Sequence, residues 1–120
     1  MSHRERRAME ELNAKIENGV CTVVLSGKID GATSGEIKGK VTDFLRKTIN
    51  ETELEWFVFD LNDVTFVSSR GLTMFSDIST MCKKNQIDYK LIGVRRDIVK
   101  IFQLTGYASV FKIEAKPETV

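Results

Sequence analysis

Phe57-Val-Phe-Asp-Leu-Asn-Asp-Val-Thr-Phe-Val-Ser68-Ser69-Arg70-Gly71-Leu72 is an apolar run that stops at paired serines and restarts with helical spacing. Positions Trp56 to Leu61 are apolar almost throughout, the pattern of a strand buried on both faces. A helix that begins at Ser69 must then pack against the sheet containing this strand. The junction puts a hydroxyl at a helix N-terminus, where unpaired backbone N–H groups and the helix dipole favour the negative charge of a phosphate.

Turning the sequence after Ser69 by about 100° per residue gathers Gly71, Met74, Phe75, Ile78, Met81 and Cys82 on one side of the helix. Thr73, Ser76, Asp77, Thr80, Lys83 and Lys84 fall on the other. The first set is the core face. A glycine in that stripe, at the first turn, predicts that another backbone passes close by, because a side chain there would hold the helix off the sheet. Ser69 projects to the opposite, solvent side. Leu72 falls off the stripe and either packs under the preceding loop or is an exposed apolar contact. The Ser/Thr-rich outer face loses little side-chain entropy on docking, which suits a docking surface; the same composition also suits an ordinary solvated face.

Upstream, Leu12–Asn18 and Val20–Ile29 read as strands joined by Asn18-Gly19, a hairpin signal because both residues tolerate positive φ. Gly27 to Gly31 reads as a turn. Thr33 or Ser34 then caps a helix whose apolar positions Ile37, Val41, Phe44 and Leu45 share one face, ending near Asn50. Downstream come a strand at Tyr89–Val94, a short helix at Asp97–Leu104 and a last strand around Val110–Ile113. The order β-β-α-β-α-β-α-β predicts an α/β fold: a mostly parallel sheet with right-handed crossovers, helices packed on it, and an antiparallel N-terminal strand. Residues 1–10 are expected to be a flexible N-terminal segment, 11–115 a single domain, and 116–120 a tail holding Pro117.

The chain has 120 residues, 42% of them hydrophobic, enough for one compact domain with a real core. A formal net charge of +1 provides no global basic field and argues against nucleic acid as the main partner. Cys21 and Cys82 lie in strand-like and helix-like runs, spaced as buried thiols and not as a disulfide framework. The N-terminus MSHRERRAMEEL lacks the apolar core of a signal peptide and no segment is long enough to span a membrane, so the expected location is the cytoplasm.

Catalytic readings fail on missing groups. A serine nucleophile needs a base, and the one histidine, His3, lies in the N-terminal segment; no Gly-x-Ser-x-Gly elbow occurs. Neither Gly-x-x-x-x-Gly-Lys nor Gly-x-Gly-x-x-Gly is present. Asp60 invites comparison with a receiver's phospho-accepting aspartate, but the early strands add only Asp30 to an acidic cluster. No metal site and no cofactor are expected, and Met74 and Met81 read as core.

Three segments together resemble the STAS domain, the family of anti-sigma factor antagonists and of the cytoplasmic tails of sulfate transporters. They are Leu25-Ser-Gly-Lys-Ile-Asp30-Gly-Ala-Thr33, then Phe59 to Leu72, then Leu91-Ile-Gly-Val with Val99-Lys-Ile-Phe-Gln-Leu-Thr-Gly106. They cover about residues 11 to 115 in family order and spacing, and the chain's size resembles a stand-alone antagonist. The resemblance implies that Ser69 is phosphorylated by a partner-switching serine kinase, itself an anti-sigma factor, with Ser68 as the competing acceptor. It places Asp30 near the site and in contact with the kinase. Position 68 is commonly aspartate in the family and position 70 often Ser or Thr; here they are Ser68 and Arg70, and Arg70 adds a cation within reach of a neighbouring phosphate.

The implied non-enzymatic role is that the unphosphorylated protein binds the kinase/anti-sigma factor through Asp30, Thr33, Ser68, Ser69, Arg70, Leu72, Thr73 and Ser76, with Gly71 structural. Phosphorylation breaks the complex, and a metal-dependent serine phosphatase restores it. The alternatives are a constitutive STAS scaffold without turnover at Ser69, and a module binding a small ligand or nucleotide.

Overall fold

Asn18 and Gly19 both take positive φ, 52° and 77°, and fold β1 (Ala14–Glu17) back on β2 (Val20–Ile29) as an antiparallel pair. This hairpin opens the computed structural model, which describes residues 12–117. The chain continues through α1 (Gly31–Glu51), β3 (Trp56–Val67), α2 (Ser69–Lys84), β4 (Asp88–Val94) and α3 (Arg96–Leu104). A 3-10 turn at Tyr107–Ser109 leads into β5 (Lys112–Ala115). The strands lie in the order β1-β2-β3-β4-β5, and β2 to β5 are mutually parallel. Because those four follow one another across the sheet in sequence order, right-handed crossovers bring all three helices to one face. The α/β class and the antiparallel first strand are as expected from the sequence.

The core lies between the sheet and these helices. Cys21, Val23 and Leu25 alternate inward from β2, Phe57, Phe59 and Leu61 from β3, and Tyr89 and Leu91 from β4. Against them stand Val41, Phe44 and Leu45 of α1, Met74, Phe75 and Ile78 of α2, and Ile98 and Phe102 of α3. Ring contacts run from Phe57 through Phe59 to Phe75, on to Phe102 and then Phe111, with Tyr89 packed on Phe59 and Phe111. The buried Tyr89 hydroxyl donates to the Phe75 carbonyl at 3.0 Å, which removes the cost of burying it and ties β4 to α2. Cys21 and Cys82 are buried free thiols, and desolvation pushes both up to about 12.

Several boundaries differ from the sequence reading. β1 spans four residues, shorter than Leu12–Asn18, because the chain leaves the sheet at Asn13, where φ is 50°. Gly27 to Ile29 is strand and not turn, and α1 is capped by Asp30 and not by Thr33 or Ser34. β3 continues past Leu61 to Val67. Its pairing with β2 shifts register twice, between Val24/Ser26 and between Gly27/Lys28, and β3 carries the extra residue each time. Such bulges destroy the period of two that a strand shows in sequence, which hides the extension. Inside the first bulge the Asp60 carboxylate accepts the Asn62 amide at 2.9 Å. The last strand begins at Lys112, and Val110, read as part of it, is exposed.

The proposed N-terminal segment 1–10 lies outside the described residues. Of the tail, Lys116 is tied to β4 by its amide on the Val94 carbonyl at 2.7 Å. Among the described residues, no helix is long and apolar enough to cross a membrane and no group of His, Cys, Asp and Glu could hold a metal ion.

Candidate functional site

Two parallel strands, β2 and β3, end side by side, so the helices that follow them start side by side. Ile29 and Val67 are register partners, and each is followed by a capping residue. Asp30 caps α1. Its Oδ1 accepts the Ala32 amide at 3.0 Å and the Thr33 amide at 3.1 Å, while Thr33 Oγ1 accepts the Asp30 amide at 2.9 Å and donates to the Lys28 carbonyl at 2.9 Å. This reciprocal box satisfies donors that a helix start leaves open. Chiefly the Thr33 amide, then the Ala32 amide and the Thr33 hydroxyl, hold the Asp30 carboxyl below the usual carboxylate range, with desolvation pulling the other way. Asp30 is therefore ionised beside the second helix start.

At that second start the two serines divide the work. Ser68 is the cap: its amide donates to the Ile29 carbonyl at 2.9 Å and its Oγ accepts the Gly71 amide at 3.3 Å. Serine and aspartate are about equal in this position, so a serine at 68 keeps the helix start that an aspartate would provide. Ser69 is the first helical residue and exposed, and its hydroxyl makes no hydrogen bond among the described residues. Its carbonyl is occupied, accepting the Thr73 hydroxyl at 3.1 Å.

Gly71 shows why the two starts are locked together. A Cβ built on it falls 2.6 Å from the Ile29 carbonyl oxygen and 2.9 Å from Val67 Cγ1, contacts closer than real Cβ atoms make. The nearby backbone expected from the sequence is that of Ile29. Arg70 reaches across the gap, its Cδ 3.2 Å from where a Gly31 Cβ would sit, so the guanidinium lies over the first residue of α1. One cation thus stands between two helix N-termini and next to Ser69.

The remaining expected contact residues are less uniform. Thr73 is exposed and Ser76 half-buried, consistent with an outer face, and Thr33 is half-buried with its hydroxyl taken up by the box. Leu72 is corrected: it is 4% exposed and belongs to the core, so it is not an exposed contact. Asp77, placed on the outer face, is half-buried and ion-paired to Lys38 of α1 at 2.7 Å, which fastens the two helices to each other. Sequence reasoning passed over Phe66 and its cross-strand partner Lys28, because the two bulges in β3 leave no period of two by which to read Phe66 as outward. Two clefts, of about 320 Å³ beside Ile37 and Lys40 and about 360 Å³ beside Lys83 and Phe111, leave out the Ser69 turn. The turn offers a hydroxyl on a capped, cation-flanked helix start, with no base in hydrogen-bond contact among the described residues.

The sequence model for the STAS domain matches residues 11–120. The fold is similar to that of a candidate anti-sigma factor antagonist from Thermotoga maritima, with a TM-score of 0.79 at 18% identity over 95% of this chain and 92% of that one. Bacillus SpoIIAA, an anti-sigma factor antagonist, superposes in its unphosphorylated form with a TM-score of 0.67 at 14% identity, over 83% of this chain and 84% of that one. Its phosphorylated form gives 0.61 at 14% identity, over 83% and 87%. A sulfate transporter family protein from Wolinella succinogenes gives 0.70 at 16% identity, over 83% and 80%. At such identities the likeness is one of fold.

Proposed function

We propose that this chain, which belongs to the STAS domain family, is an anti-sigma factor antagonist that binds a serine kinase acting as anti-sigma factor and is released when Ser69 is phosphorylated. The observation that carries the reading is the division of labour at the turn: Ser68 Oγ is held by the Gly71 amide, while Ser69 is exposed and its hydroxyl makes no hydrogen bond among the described residues. A kinase that takes Ser69 finds a ready nucleophile. One that takes Ser68 must first break the cap. The protein supplies the hydroxyl and no catalysis; the chemistry belongs to the kinase and to a metal-dependent serine phosphatase that resets the switch in the cytoplasm.

A phosphate on Ser69 adds a charge of about −1.5 to −2 at a helix N-terminus, beside Arg70, where it favours the fold by about 0.3 to 2 kcal/mol. Unfolding is therefore not the way the switch works. The finding that both the unphosphorylated and phosphorylated forms of the Bacillus protein share this fold supports the same view. Docking is what suffers, because burying a dianion without paired cations costs several kcal/mol, and about 1.4 kcal/mol is already tenfold in affinity. The unphosphorylated contact surface comprises Asp30, Ser69, Arg70, Thr73 and Ser76.

Incubation with the partner kinase and ATP, followed by phosphate mapping by mass spectrometry, tests the reading. Stoichiometric phosphate at Ser69, lost in Ser69→Ala, is the expected result. Binding without any phosphate at Ser69 would instead make the protein a constitutive scaffold.

A further inference from the structure

Phe66 is the large apolar side chain that the fold leaves beside the switch. It is 46% exposed, in register with Lys28 of β2 and two residues ahead of the Ser68 cap. The next register pair, Ile29 and Val67, is 1% and 3% exposed and faces the helices. Strand alternation therefore turns Phe66 and Lys28 to the opposite face of the sheet, at the edge where it meets the Ser69 turn. Five other phenylalanines interlock in the aromatic core, whereas Phe66 makes no ring contact among the described residues. Lys28, and Arg70 on the first turn of α2, have no ion-pair partner among the described residues.

We propose that Phe66 is the anchor by which the partner kinase docks, its ring entering an apolar pocket whose rim carries acidic side chains that meet Lys28 and Arg70. The proposal rests on the phospho-switch reading and names the chemistry of the partner surface. Three features favour this occupant. The ring is adjacent to the residue the kinase must reach. It is held rigidly, since the Ser68 amide and the β2–β3 register pin the backbone on either side, so little freedom is lost on docking. A single aromatic ring with a cation as its cross-strand neighbour also matches the make-up of interface hot spots. An acidic rim explains release as well: drawn to Lys28 and Arg70 before modification, it is repelled by a dianion placed three residues from Phe66.

Calorimetric titration of the purified serine kinase that modifies Ser69, loaded with ADP, against wild type and single variants tests the proposal. Phe66→Ala should weaken binding about thirtyfold, the scale of a hot spot, while Phe66→Leu keeps most of the affinity. Lys28→Glu should weaken binding and flatten its salt dependence. Melting temperatures within about 3 °C of wild type keep these results separate from misfolding. Affinity of Phe66→Ala within about twofold of wild type overturns the anchor, even where Ser69→Asp abolishes binding. Unchanged affinity of Lys28→Glu overturns the acidic rim. Ser69→Asp binding like wild type overturns the switch instead, and the Phe66 titrations then still decide the anchor.

Discussion

Replacing Gly71 with alanine adds one methyl group at the point where α2 meets β2. The new Cβ would sit 2.6 Å from the Ile29 carbonyl oxygen, 2.9 Å from Val67 Cγ1 and 3.2 Å from Ile29 Cγ2. The closest of these is backbone inside a paired strand, so relief has to come from moving the helix start outward. That motion stretches the hydrogen bond from the Ser68 amide to the same carbonyl, now 2.9 Å. Losing it costs about 1 kcal/mol, and the crowding adds about 1 to 3 kcal/mol. Alanine's better helix propensity returns about 1 kcal/mol, leaving a net loss of about 1 to 3 kcal/mol. An unfolding entropy of about 2.1 cal/mol/K per residue converts this, for a chain of 120 residues, to a melting temperature about 4 to 12 °C lower.

Gly35 and Gly39 provide the control, because both lie within α1 and a Cβ on either meets nothing within 4 Å. Gly35→Ala and Gly39→Ala should each raise the melting temperature by about 2 to 4 °C through propensity alone. Thermal unfolding followed by circular dichroism reads all three. If Gly71→Ala melts as high as wild type, or rises like the two controls, the close approach of Ile29 to the switch helix is wrong. The proposed rigidity of the Ser69 turn then goes with it.

Ser69→Asp should melt within a few degrees of wild type yet lose kinase binding, since the charge favours the helix start and opposes docking; tight binding by this variant contradicts the switch. Ser68→Ala removes the α2 cap and should cost about 1 kcal/mol, or about 4 °C, whereas Ser68→Asp restores it, as two melting curves will show. The Asp30 carboxyl is held below its ordinary value, so the stability it lends is complete above that value and is lost as the pH falls through the lowered one. The melting-temperature gap between wild type and Asp30→Ala should therefore narrow on acidification, and a gap that widens refutes the assignment. Cys21 and Cys82, buried and pushed up to about 12, should resist a thiol reagent at pH 8 until the protein is unfolded.

Much of the fold was legible because it is written in local periods. Asn18-Gly19 announced the hairpin through its tolerance of positive φ, and both residues take it. The stripe from Gly71 to Cys82 faces the core at helical spacing. The alternation of strands and helices was enough for a parallel sheet with an antiparallel first strand. Even the tight contact at Gly71 was readable, since a glycine in an apolar stripe needs a neighbour to explain it.

The order of elements, the core faces and a hydroxyl-bearing helix start after the buried strand were thus all readable from the chain alone. These depend on the period of three to four residues in helices and of two in strands, which the chain displays residue by residue. Three-dimensional packing was needed to show that the backbone beside Gly71 is that of Ile29, that Arg70 covers Gly31, that Asp77 is tied to Lys38 and that Leu72 is buried. It also decided which serine caps and which is free, and that β3 runs through two bulges to leave Phe66 outside. The approach of Ile29 to Gly71 and the outward turn of Phe66 are set by the register between β2 and β3, segments about forty residues apart. Register comes from the packing of both strands against shared helices, and no local period records it.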